Sequence, residues 1–285
     1  QSGDNSSELQ EFLEEVKEEG GTVQCEFDDE GTVAVLFVTT HAMKQTFTNS
    51  LCTTIQVDTT FDIDAAKYKL CGFCYLNPSS NKSEFCALAF LATENARDFR
   101  YAFQCLRKIC IHSPSVFLVD KDFTEISILQ EIFKESRILL CRFHVIKYVK
   151  NMIATTMKTV DWKQNVMTIF KSLVYARSQE IYEERKREFL LSVSGVDVRM
   201  NKKYVSLESQ FLSNWDSCQD MWVAFHRKNL PTLEDNTSNR IERSFLTLKG
   251  SLRTNFQALP YKFSSTPGTA TKYSPPCYIL YTANH

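Results

Sequence analysis

The sequence contains no run approaching the roughly 20 apolar residues that a membrane-crossing helix needs, so no membrane partner is expected. It also lacks the charged-then-apolar opening of a secretory signal and begins on Gln1-Ser2-Gly3-Asp4. No methionine stands at position 1, and a fragment or a partial gene model is expected on that ground. Net charge is nearly absent, at −1 over 285 residues. What the chain does have is apolar content, 43% of its residues. That is enough to bury a full core, which excludes a disordered protein and leaves room for one large or two modest domains.

Cysteine is plentiful, ten in all, but scattered singly, and several fall inside apolar strand or helix patterns. This distribution predicts reduced, mostly buried thiols and an intracellular location. The small net charge conceals an asymmetry. Residues 1–30 hold eleven acids and one base, which leaves 32 bases against 23 acids in 31–285. A basic body behind an acidic leader is compatible with nucleic-acid binding, and equally with an ordinary solvated surface.

In chain order, residues 1–20 read as an acidic leader with a helix that carries Leu9, Phe12, Leu13 and Val16 at helical spacing. Residues 21–50 read as a lead-in hairpin and a helix around His41–Phe47. From 51 to 144 the pattern is an α/β series. Strands are predicted at Thr54–Phe61, Tyr68–Leu76 and Phe85–Thr93, then a helix to about Cys110, a strand over 115–119, a helix from Phe123, a strand at Ile138–Cys141, and a helix from Val145. Three strands in meander, then helix, strand, helix and strand, is the element order of the ribonuclease H fold, which needs one further helix. Residues 145–235 are instead helical in pattern and basic, fit either to track a phosphate backbone or to form a solvated bundle. Ile241, Phe245, Leu248 and Leu252 supply a final helical stripe over 236–252, and 253–285 read as an irregular tail.

The run Val116-Phe117-Leu118-Val119 is too short for a helix, suits a strand buried on both faces, and stops on Asp120. An acid at the carboxyl end of a central strand lies where open α/β sheets bind ligands. Asp122 with Glu125 has capping-box spacing for the next helix, so capping is assigned to Asp122, leaving Asp120 for chemistry. Asp58 lies in the first core strand and Glu242 on the final helix, where Asn239 and Glu242 also have capping-box spacing. Three such carboxylates suit a two-metal site, because hard divalent cations about 4 Å apart need anionic oxygen between and around them. Cys71-Gly72-Phe73-Cys74 has metal-like spacing, but residues three apart in a strand face opposite sides, so the pair is read as core.

Four segments together, Gln56–Phe61, Leu118–Asp122, Cys141–Val145 and Thr237–Lys249, resemble the catalytic domain of Mutator-like (MULE) transposases. Within that group the sequence is most similar to the domesticated relatives that carry a SWIM zinc finger. The resemblance covers roughly residues 21–250. It implies an α/β, ribonuclease H-like (DDE transposase) mixed sheet with an all-helical insertion, here 145–235, before the last helix. It also implies Asp58, Asp120 and Glu242 as catalytic carboxylates that hold two Mg2+ or Mn2+ ions, with DNA as the partner, a homo-oligomer as an assembly to test for, and nuclear residence. The family's Cys-x-x-His motif falls on Cys141 and His144. Two residues are half of a tetrahedral zinc site, so zinc is not expected and a structural or DNA-contacting role is, shared with Arg142, Lys147 and Lys150. Neither the family's N-terminal zinc-binding module nor the SWIM array after residue 250 is found in the 285 residues. The leading expectation is two-metal DNA strand cleavage and transfer. The alternatives are a catalytically silent, domesticated DNA-binding or regulatory protein, and a ribonuclease H-like nuclease unrelated to transposition.

Overall fold

The structure is a computed structural model, and it describes residues 5–49, 53–60, 68–77, 82–200, 203–230 and 245–246. Two compact units divide the chain, Gln1–Arg137 with Ser238–His285, and Ile138–Thr237.

The first unit opens with α1 (Asn5–Glu18), the hairpin β1 (Thr22–Phe27) and β2 (Val33–Thr39), and α2 (His41–Asn49). There follow β3 (Thr54–Thr60), β4 (Lys69–Asn77), β5 (Lys82–Leu91), α3 (Ala96–Ile109), β6 (Val116–Val119) and α4 (Phe123–Ile132), before β7 (Arg137–Leu140). The strands form one seven-stranded mixed sheet in the order β1-β2-β5-β4-β3-β6-β7. The meander β3-β4-β5 followed by helix, strand, helix and strand is the expected ribonuclease H-like arrangement. The lead-in hairpin is part of that sheet, since β2 pairs antiparallel with β5 from Val35↔Leu91 to Val38↔Leu88.

Strand β3 is the pivot, antiparallel to β4 and parallel to β6. Its β-branched residues suit a pleated ribbon with both faces covered. On one face Leu70, Cys74, Leu88 and Phe90 pack with Leu13, Val16, Met43 and Phe245. On the other, Phe73 meets Phe103 of α3 at 5.9 Å between ring centroids, and Phe117 of β6 meets Phe133 beyond α4 at 4.7 Å. All four residues of β6 are buried, as a strand covered on both faces requires. Cys71 and Cys74 are both buried in the sheet, consistent with the core reading. All eight described cysteines are free thiols and six of them are buried.

The second unit contains α5 (Arg142–Ala154), α6 (Val160–Val174), α7 (Gln179–Val193), β8 (Asp197–Met200), β9 (Lys203–Ser206) and α8 (Leu207–Asn214), followed by two short 3-10 turns. Its core is aromatic. Phe170 stacks on Trp222 at 5.9 Å, and Phe189 meets Phe211 at 4.7 Å. The expectation of an all-helical insertion is corrected here, because β8 and β9 pair antiparallel from Asp197↔Ser206 to Met200↔Lys203. The alternation Val196, Val198 and Met200 carried that signal. It is short, and Val196 and Val198 are buried at the end of a long helical stretch, where a periodicity of two is easily masked.

Candidate metal site

The register of β3 against β6 sets the geometry. Thr54 lies opposite Val116, Ile55 opposite Phe117 and Gln56 opposite Leu118. Asp58 and Asp120 each stand two residues beyond that last pair, Asp120 directly after the end of β6, so the same register carried forward sets them opposite each other. Paired positions on neighbouring parallel strands point to the same face, and strands lie about 4.8 Å apart. The two carboxylates therefore start from adjacent backbones on one side of the sheet, at its carboxyl edge. The site is also a topological switch, since the chain leaves β3 toward β4 on one side and returns through α3 to β6 on the other.

Backbone amides orient both side chains. The Thr59 N–H donates to Asp58 Oδ1 at 2.9 Å and the Lys121 N–H donates to Asp120 Oδ1 at 2.7 Å. Asp58 is half-buried and Asp120 is exposed. Asp122 takes the capping role, its Oδ1 accepting from the amides of Thr124 at 2.8 Å and Glu125 at 3.0 Å.

The other half of the expected capping box does not form. The Asp122 N–H donates to the Asp120 carbonyl at 3.0 Å, and the Glu125 side chain turns inward instead. Glu125 is 5% exposed, and its Oε1 has no hydrogen-bond partner among the described residues. Burial, reinforced by the negative charges of Asp122, Asp58, Asp120 and Glu94, pushes its carboxyl well above the usual carboxylate range. Sequence reasoning gave Glu125 only its capping role, and its burial beside the acid pair is a product of packing alone.

Strand β4 explains how the far end of the chain reaches this face. Gly72 lies opposite Asp58 in the antiparallel register. A Cβ on Gly72 would stand 2.7 Å from Phe245 Cζ and 2.8 Å from Phe85 Cε1. Glycine is needed there because an aromatic ring occupies the space a side chain would take. Phe245 and Leu246 have helical backbone, Phe245 is buried, and its ring lies 5.6 Å from that of Phe85. Glu242 lies outside the described residues. Among the described residues no three His, Cys, Asp or Glu side chains converge on one point fit for a metal, so Asp58 and Asp120 stand as a pair. Their chemistry fits hard divalent cations, which take oxygen ligands and carboxylates above all.

The remaining candidates belong to the second unit. Cys141 is buried and precedes α5 without a side-chain capping bond. His144 is half-buried with its ring 5.5 Å from that of Phe143. Arg142 is buried, its Nε donates to the Trp222 carbonyl at 3.3 Å, and its guanidinium lies over the Tyr175 ring at 5.5 Å. Those bonds give Arg142 a structural role, tying α5 to the loop around Trp222. Lys147 and Lys150 are exposed.

Residues 10–139, a little under half of the chain, match the family model "Zinc finger SWIM domain-containing protein 1/3, RNaseH-like domain". The matched stretch includes Asp58 and Asp120. A solved structure, the Holliday junction resolvase of fowlpox virus, aligns with 48% of this chain and 98% of its own at 13% identity and a TM-score of 0.20, a likeness too low to bear on function. The curated proteins contain no match.

Proposed function

We propose that the chain is a transposase-derived domain of the DDE type, which cleaves and joins phosphodiester bonds in DNA using two Mg2+ or Mn2+ ions. The observation that carries the reading is the parallel register of β3 with β6, which sets Asp58 and Asp120 each two residues beyond the paired Gln56 and Leu118 at the carboxyl edge of a ribonuclease H-like sheet. The four-segment resemblance to Mutator-like transposases supplies the finer class. In this reading Asp58 and Asp120 hold the cations, and Glu242 completes the set. Glu242 stands three residues before the buried Phe245 in the sequence. Bound there, the ions would neutralise charge on the attacking and leaving oxygens of an in-line displacement.

The chain's own residues do the positioning. The amides of Thr59 and Lys121 fix the two carboxylates before any ligand arrives, so little reorganisation is needed on binding. The parallel pairing of β3 and β6 sets their spacing, and the ring of Phe245 packs against Gly72 of β4, the residue opposite Asp58. Incubation of the purified protein with labelled terminal-repeat DNA and Mn2+ is expected to yield nicked and joined products. Asp120→Asn should abolish them, and activity that survives this change would overturn the assignment.

A further inference from the structure

The second unit contains a groove of about 700 Å³ between α5 and α6, within the size range of binding pockets. Its floor is aliphatic, with Ile146 and Ile153 from α5 and Val160 and Met167 from α6. Val160 is 76% exposed, an apolar side chain left in water beside a concave surface. Around this floor stand four lysines, Lys147 and Lys150 from one helix and Lys163 and Lys171 from the other, and no acid lines the groove. The sequence shows how complete this bias is, since Asp161 is the single acid in residues 136–179.

Two chemistries favour lysine-rimmed grooves, and the floor decides between them. A nucleic-acid strand needs polar contacts along its phosphates or open aromatic faces for its bases. The aromatic ring among the lining residues is Phe143, and Lys147 Nζ already sits over it at 5.6 Å from the centroid. A floor of branched and thioether side chains suits instead the apolar positions i, i+3, i+4 and i+7 of a helix laid in the groove. The lysines would then pair with acids flanking that apolar stripe. Lys163 is partly committed, donating to the Ala154 carbonyl at 2.9 Å, and Lys147 lies over Phe143, which leaves Lys150 and Lys171 as the main rim charges. The chain's own acidic helix, α1, has its apolar residues Leu13 and Val16 buried in the core of the first unit.

We propose that the α5–α6 groove is a docking site for an acidic amphipathic helix of another protein. This interaction is separate from the carboxylate pair and does not rest on the catalytic reading. The test uses the full chain and a fluorescein-labelled synthetic helix with leucines at i, i+3, i+4 and i+7 flanked by glutamates, followed by anisotropy. Saturable binding is expected. It should weaken about tenfold or more with the double change Lys150→Glu and Lys171→Glu, and similarly with Val160→Asp, which alters an exposed position. A scrambled peptide of the same composition should also bind about tenfold more weakly, because charge alone does not fill an apolar floor. Equal binding of the scrambled peptide, or indifference to the lysine reversals, would overturn the proposal. So would displacement of the helix by a single-stranded or duplex oligonucleotide that binds more tightly with the same lysine dependence, since the groove would then be a nucleic-acid surface.

Discussion

Asp120, Asp122 and Glu125 lie within six residues and do three different things, which makes them separable by mutation. Asp122 holds two amides of the first turn of α4. Replacing it with alanine is expected to cost about 1 kcal/mol in urea denaturation while leaving Mn2+ binding intact. Asp120→Asn should show the reverse pattern, with unchanged stability and lost Mn2+ binding by calorimetry. Glu125 is a buried acid whose folded-state pKa is raised above the ordinary value of 4.5. Its protonated form is favoured in the fold, so its contribution is fully present below pH 4.5 and is lost as pH rises from there toward the folded value. Glu125→Gln should therefore match the parent in stability near pH 4 and exceed it increasingly toward pH 8. Thermal denaturation across that range checks the sign, and a variant less stable at pH 8 would show that the carboxylate is held ionised by a partner.

At the level of elements, β4 meets Phe245 at a joint with no room for a side chain on Gly72. Gly72→Ala forces a methyl into atoms at 2.7 and 2.8 Å, both belonging to rings wedged in the core. Overpacking of this kind costs about 1–3 kcal/mol, and the unfolding midpoint in urea measures it. In the proposed site Glu242 stands three residues before Phe245 in the sequence, so Mn2+ affinity should fall as well. Pairing Gly72→Ala with Phe245→Leu removes the contact with the Phe245 ring and leaves that with Phe85, so it should restore part of both losses. A loss of stability with no loss of Mn2+ affinity would separate the joint from the site.

For the whole molecule, the proposed site predicts that a cation binding the folded state and not the unfolded chain raises global stability. Mn2+ at 100 times its dissociation constant should raise stability by about 2.7 kcal/mol, a gain seen as a higher melting temperature that Asp58→Asn removes. The cysteines offer a second global test. With eight free thiols described and six of them buried, thiol titration in denaturant should find at least eight reactive groups, most of them slow to react in the native protein. Reductant should leave the denaturation curve unchanged, because no described disulfide closes a loop.

The sequence alone determined what local chemistry can encode. Alternation and β-branching specified β3 to β6, Asp122 announced the start of α4, and the apolar run of β6 announced a strand covered on both faces. Of the stripe Ile241, Phe245, Leu248 and Leu252, Phe245 lies among the described residues and is buried. Pairwise relations between distant segments needed the fold. No local pattern says that Asp58 and Asp120 share a register, because β-pairing is a choice among strands separated by some 60 residues. Nor does any local pattern place Gly72 beneath Phe245, turn Glu125 from its cap into the core, or draw lysines from two helices around one aliphatic floor. Burial and pairing depend on what the rest of the chain brings alongside, and that is decided by tertiary structure.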